Sequence, residues 1–225
     1  MRSIKNEVVI RQNEIDGFLN LIRSMEAGSI TLPPSINRTS INTTLKASVV
    51  IIIYNLVEST LTNCLRKIHA VLSSGNIKYI DVNDEIKKMI IIYYHYVYEK
   101  NENIHNIVGD IKNLISILAN NVDISLSYDD MNKYYSLYSG NLDSKKICSI
   151  FSKYGIVFNE RIRELQTIKD YRNKLAHGEI SFEECGREIS IQQIEVINQK
   201  VSGYINNAIN AIEDFIDNNR FLCVP

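Results

Sequence analysis

The segment RNKLAHG, near the end of a predicted helix, places Arg172 five residues ahead of His177. A histidine can move the proton of a ribose 2′-hydroxyl near neutral pH. An arginine guanidinium fits the geometry of a phosphate and can stabilise the charge that develops on it during attack. The pair is therefore a candidate for RNA cleavage that needs no metal ion.

The helix that carries this segment is predicted from Glu160 to His177, with Gly178 as its stop. On a helical wheel of about 100° per residue, Arg172 falls in the middle of the apolar arc. A guanidinium there needs a paired charge, a cleft or a partner chain, because an unpaired buried charge is costly. The apolar residues that define the arc recur at helical spacing: Ile162, Leu165, Ile168, Leu175 and Ala176.

His177 lies roughly 140° around the helix from Arg172. Its place next to the helix C-terminus favours the imidazolium form, which suits an acid or a phosphate ligand better than a resting base. Since one histidine cannot easily serve as both acid and base, a symmetric dimer would help by bringing two histidines and two arginines into one cleft. Two neighbours are candidate supporting residues: Asn173, one turn before His177, and Lys174 in the same basic stretch.

Two stretches of the chain resemble HEPN domains (higher eukaryotes and prokaryotes nucleotide-binding). They are GNLDSKKICSIFSKYGI at residues 140–156 and RNKLAHGEISFEECGRE at residues 172–188. The similarity is to a bacterial branch found with phage-defence, restriction and toxin systems, and it is clearer in the second half of the chain. Arg172 and His177 match the family's catalytic motif, and Asn173 matches the polar residue that commonly follows the arginine.

This resemblance implies a compact all-α helical bundle with a long core helix and a long C-terminal helix. It also implies a homodimeric, metal-independent endoribonuclease of toxin or abortive-infection type, which leaves 2′,3′-cyclic phosphate ends and has an antitoxin or neighbouring defence protein as a possible partner. Some HEPN domains do not cleave RNA. A non-catalytic dimer that binds RNA or a partner protein is therefore the alternative.

The long core helix is predicted over residues 42–74. Its first half is apolar almost all round, so Glu58 is expected to be partly buried and to need a partner. Arg172 is one candidate, which makes Glu58 a third supporting residue of the site, and solvent exposure is another possibility. The apolar run at residues 47–57 is shorter than the roughly 20 residues of a membrane span. Two other cations on the same helix could also pair with Glu58: Arg66 and Lys67.

We interpret the chain as one HEPN-like domain over residues 1–225, with the motif region at residues 140–190. Residues 122–141 show no regular helical pattern; the alternation at residues 122–126 could form a short strand, but extended loop is favoured because a lone strand has no obvious partner. The connector at residues 178–190 is expected to form one wall of the site, because it follows His177 directly. The other predicted elements are an N-terminal extension with a helix at 4–27 and a loop at 29–41, helices at 84–99, 104–120 and 143–154, and a C-terminal helix that begins at Ser190.

Composition limits the kind of nucleic-acid contact. The 225 residues are 45% apolar and 23% charged, which is ordinary for a globular protein. A net charge of -1 argues against binding nucleic acid over the whole surface, because such binding needs many phosphate contacts. A local basic stretch, Arg161 to Lys174, is the candidate RNA contact.

The remaining cysteines, histidines and tyrosines predict no cofactor or metal site. The four cysteines are far apart and form no CxxC pair, which favours a reduced, cytoplasmic protein. His69, His95 and His105 are interpreted as structural. The tyrosines between Tyr93 and Tyr98 could stack unpaired bases, but packing is the favoured interpretation.

Overall fold

The computed structural model describes residues 1–100 and 104–223, without the side chains of residues 104 and 105. This part of the chain contains nine α-helices, one 3₁₀ turn and no strand, so the all-α prediction is confirmed. The elements are α1 (Arg2–Glu26), α2 (Arg38–Ser74), the 3₁₀ turn (Tyr79–Asp81), α3 (Asp84–Lys100), α4 (Ile104–Leu118), α5 (Tyr128–Tyr134), α6 (Ser144–Ser152), α7 (Arg163–Ala176), α8 (Phe182–Glu188) and α9 (Ile191–Asp217).

Helix α2 forms the centre of the bundle. Helices α1, α7, α8 and α9 all pack against it, as expected for a helix that is apolar almost all round. It is the one helix in the described part of the chain that is long and apolar enough to cross a membrane. Core helices of globular proteins meet the same criterion, and several of its side chains are completely enclosed by the bundle: Val49, Val50, Ile53, Tyr54 and Leu65.

Local capping explains where two helices begin. Helix α2 starts at Arg38, four residues earlier than predicted, because the Asn37 side chain accepts hydrogen bonds from the first backbone N–H groups. Helix α7 starts at Arg163, three residues later than predicted, and Ile162 is its N-cap residue. The predicted start of the C-terminal helix at Ser190 is confirmed, since Ser190 is the N-cap residue of α9 and forms a capping box with Gln193. A break predicted between α3 and α4 falls at residues 101–103, outside the described residues.

Two short helices, α5 and α8, occupy stretches that were predicted as loops. Each is only seven residues long, or about two turns, which is too short for helical periodicity to be recognised in the sequence. Ser127 caps α5, and Ser181 forms a capping box with Glu184 at the start of α8. Residues 123–127, just before α5, form neither helix nor strand, as expected for a loop.

Helix α8 packs very closely against the first turns of α2. The side chain of Ser40 donates a hydrogen bond to Glu183. Gly186 lies so near α2 that a β-carbon added to it would stand 1.9 Å from the carbonyl oxygen of Thr43. The backbones of the two helices therefore touch at a point where only glycine fits.

We predict that Gly186→Ala is strongly destabilising. The added methyl group must push α8 away from a backbone carbonyl, and such overpacking costs about 3 kcal/mol or more of unfolding free energy. Gly17→Ala is the matched control, because a β-carbon at this position in α1 meets nothing within 4 Å. It should stabilise the protein by up to about 1 kcal/mol. Equal urea midpoints for the two variants would contradict the proposed contact.

Candidate active site

The guanidinium of Arg172 faces α2 and lies over the ring of Tyr54. Its central carbon is 5.4 Å from the centre of that ring, a distance typical of a cation–π contact. Arg172 is half-buried, and its Nη1 donates a 3.1 Å hydrogen bond to Oδ1 of Asn173. An aromatic face on α2 thus accounts for the position of Arg172 within the apolar arc of α7.

Tyr54 is fully buried, and its hydroxyl is a hydrogen-bonding centre. It accepts a 2.8 Å bond from the backbone N–H of Leu142. It lies 3.0 Å from the carbonyl oxygen of Gly140 and 3.1 Å from Oε1 of Glu58, two acceptors that compete for its single proton. Burial is the main cause that raises the pKa of Tyr54 far above its ordinary value, so the proton is kept.

The loop that begins at Gly140 is fastened to α7 by polar contacts. Asn173 donates a 2.7 Å bond to Oδ1 of Asn141, and Lys169 pairs with Asp143 at 2.6 Å. Gly140 has a φ of 67°, and a β-carbon there would lie 3.4 Å from Nη2 of Arg172. The loop therefore runs directly beside the guanidinium.

Arg172 and Glu58 do not form the direct ion pair considered from the sequence. Their charged atoms lie more than 4.0 Å apart, and Oε1 of Glu58 lies 3.1 Å from the hydroxyl of Tyr54, one turn earlier on α2. Arg66 is also not its partner, because it pairs with Asp129 at 2.9 Å. Both charges of the expected pair thus contact Tyr54 instead of each other.

His177 stands apart from this network. It is the C-cap residue of α7, and its backbone N–H bonds to the carbonyl oxygen of Asn173. Its side chain is exposed and has no hydrogen-bond partner within the described residues. Lys174 is exposed as well. The structure therefore joins Arg172 and Asn173 to Tyr54 and its partners, and leaves His177 and Lys174 open to solvent.

Comparison with known families adds to this geometry. A family model described as HEPN_MAE_28990-like HEPN matches residues 1–221. The chain belongs to the HEPN family. No curated protein and no solved structure matches it. The HEPN match extends the similarity beyond the second half of the chain to include α2, which carries Tyr54 and Glu58.

Two neighbours of Arg172 in this HEPN protein were not predicted from the sequence: Tyr54 and the Gly140–Asn141 turn. The signals were present but weak. Tyr54 precedes Glu58 by one helical turn, so the two share a face of α2. The Gly-Asn pair lies between two helical patterns, where such residues mark a turn. Neither signal indicates contact with Arg172, because that contact depends on how α2 and α7 pack.

The other histidines of the HEPN chain are separate from Arg172. His69 is buried, its Nδ1 is 2.8 Å from the carbonyl oxygen of Leu126, and its Nε2 is 2.9 Å from the hydroxyl of Tyr154. Since a carbonyl can only accept, the proton sits on Nδ1. His95 is exposed and lies 3.4 Å from Glu99. The side chain of His105 is outside the described residues, and the remainder contains no group of three potential metal ligands.

The tyrosines of α3 mostly pack against other aromatic rings. Tyr96 stacks on Tyr135 with ring centres 5.5 Å apart, and Tyr93 meets Tyr134 edge to face. Tyr98 is the exposed member of the group. These contacts support the packing interpretation, because rings that already face each other offer fewer free faces to a base.

We predict that His69 makes the HEPN fold less stable in mild acid. Burial lowers the pKa of His69 below 6.5, its usual value. Below a pH of about 6.5, His69 is therefore protonated in the unfolded chain but stays neutral in the folded one. As the pH is lowered, the free energy of unfolding falls by up to about 1.4 kcal/mol per pH unit until the pKa of His69 in the folded protein is reached.

The test compares unfolding free energies between pH 7.5 and 5 for the wild type and two variants. His69→Gln should lack this part of the pH dependence. His95→Gln, a substitution of an exposed histidine, should retain it. An unchanged slope in His69→Gln would show that His69 is not the group responsible.

Proposed function

We propose that this HEPN protein is a metal-independent endoribonuclease of toxin or anti-phage abortive-infection type. The observation that carries the proposal is the arrangement at the end of α7: a half-buried Arg172 guanidinium with no carboxylate of the described residues within 4.0 Å, and an exposed His177 five residues later. A fixed cation and a titratable imidazole are the two groups that metal-free RNA cleavage requires.

In the proposed reaction, the 2′-oxygen of one ribose attacks the adjacent phosphorus and the bond from phosphorus to the 5′-oxygen breaks. A base removes the 2′-proton, and an acid supplies a proton to the departing 5′-oxygen. Arg172 stabilises the negative charge on the phosphate oxygens. The products are a 2′,3′-cyclic phosphate and a free 5′-hydroxyl.

The base and the acid are assigned to the two copies of His177 in a homodimer. His177 points into solvent while Arg172 faces α2, so one chain presents only half of the groups. A two-fold axis near the end of α7 would bring the second copy into the same cleft. Asn173 then orients the guanidinium and Lys174 contacts the RNA backbone. The protein would act in the cytoplasm, restrained by an antitoxin or by a neighbouring defence protein.

We predict that Arg172→Ala and His177→Ala each lower the rate of RNA cleavage by about 100-fold or more. Cleavage by the wild type should persist in EDTA and leave cyclic phosphate ends, which can be identified by mass spectrometry of the fragments. Arg23→Ala and His95→Ala are the controls, because both residues are exposed and belong to helices that do not carry the motif.

Cleavage retained by both motif variants would exclude the assigned site. A wild-type protein that is inert, yet binds RNA or a partner protein as tightly as both variants do, would identify the non-catalytic HEPN module instead.

We predict that activity depends on dimer formation. The cleavage rate per protomer should fall when the protein is diluted below its dimer dissociation constant, because each monomer holds one His177 only. The measurement pairs cleavage assays with light scattering over the same concentration range. A monomeric sample with the full rate per protomer would contradict the shared cleft.

A further inference from the structure

We propose that Tyr54 is the positioning residue of this site: its ring carries the Arg172 guanidinium, and its hydroxyl keeps Glu58 away from it. The inference rests on the ribonuclease function proposed above. In this proposal, the fully buried Tyr54 holds the Arg172 guanidinium in place without neutralising its charge.

The first part of the argument is the neutrality of the Arg172 surroundings. Its guanidinium has the Tyr54 ring on one side, the Asn173 amide oxygen at 3.1 Å and Gly140 close by. None of these groups carries a charge, and within the described residues no carboxylate lies within 4.0 Å of it. A paired carboxylate would compete with a phosphate for the same N–H donors. A neutral support leaves the charge available to RNA.

The second part concerns Glu58, the carboxylate nearest to this arrangement. A β-carbon on Gly140 would lie 3.9 Å from Oε1 of Glu58 and 3.4 Å from Nη2 of Arg172, so the two charged groups flank the same glycine. The Tyr54 hydroxyl lies 3.1 Å from Oε1 of Glu58 and shares its single proton between this carboxylate and the carbonyl of Gly140, a contact that holds Glu58 on the α2 side. Without that hydroxyl, the carboxylate loses its hydrogen-bond donor and the guanidinium becomes its nearest strong partner.

The third part is the turn from Gly140 to Leu142. The hydroxyl of Tyr54 accepts the buried backbone N–H of Leu142 and lies within hydrogen-bond distance of the Gly140 carbonyl. The same turn passes beside Arg172 at Gly140 and accepts a hydrogen bond from Asn173 at Asn141. One hydroxyl therefore fixes the turn that lies against the arginine and also holds the competing carboxylate.

The test begins with Tyr54→Phe, which retains the ring and removes the hydroxyl. We expect kcat/KM for RNA cleavage to fall by about 10- to 100-fold, because small displacements of a catalytic group have effects of that size. Combining it with Glu58→Gln should restore most of the loss, since the amide cannot pair with the guanidinium as a carboxylate does. A double variant that is no more active than Tyr54→Phe would overturn the proposal.

Tyr154→Phe is the matched control for general destabilisation. Tyr154 is also fully buried, and its hydroxyl is likewise bonded to a side chain of α2, but that side chain is His69. Tyr154→Phe should lower the melting temperature about as much as Tyr54→Phe does, while its kcat/KM stays within about twofold of the wild type. Equal losses of activity in Tyr54→Phe and Tyr154→Phe would reduce Tyr54 to a stabilising residue and overturn its positioning role.

A measurement independent of activity separates this proposal from the ribonuclease assignment. The Nε–H resonance of Arg172, assigned by its absence in Arg172→Lys, should be shifted by the ring current of Tyr54 and should lose that shift in Tyr54→Leu. If the shift is found but the wild type does not cleave RNA, the placement of Arg172 is supported and the ribonuclease function fails. If the wild type cleaves RNA and the shift is the same in Tyr54→Leu, the positioning proposal fails.

Discussion

A helix that is apolar on nearly every side must be enclosed by other helices, and the polar groups that it carries must then find partners inside the protein. Helix α2 is under this constraint along most of its 37 residues. Its buried polar side chains therefore determine which neighbours can pack against it. Tyr54 and His69 are two of them, four turns apart, and each is bonded to elements that follow much later in the chain.

Helix α2 takes part in two hydrogen-bonding arrangements that involve a buried tyrosine hydroxyl, one at His69 and one at Tyr54, and the two have different consequences. At His69, a second buried tyrosine and a carbonyl satisfy both ring nitrogens, so the imidazole is neutral and closed to solvent. At Tyr54, the hydroxyl is equally well bonded, but the ring supports a guanidinium that is only half-buried. The first arrangement can only stabilise the fold, whereas the second leaves a charge within reach of solvent.

Much of the fold could be predicted because its signals are local. The capping box of α9, the Asp143 cap of α6 and the inward position of Arg172 all depend on residues within one or two turns. Helices α5 and α8 could not be predicted in this way, because seven residues make only about two turns, too few for a repeating apolar pattern to be recognised. The partner of Arg172 was missed for another reason: Tyr54 is 118 positions away, and only the packing of α7 on α2 brings the two together.

The contacts around Arg172 also join the two separate stretches that carry the HEPN resemblance. The first stretch contributes Asn141 and Asp143, and they bond to Asn173 and Lys169 of α7. A change in either stretch would therefore disturb the other. His177 lies outside these bonds, because it follows the last residue of α7 and its exposed side chain forms no hydrogen bond with any described residue. The chain thus holds the Arg172 guanidinium against Tyr54 and leaves the imidazole of His177 exposed to solvent. In the proposed site, a histidine placed this way would find its partners only when RNA or a second protomer approaches the end of α7.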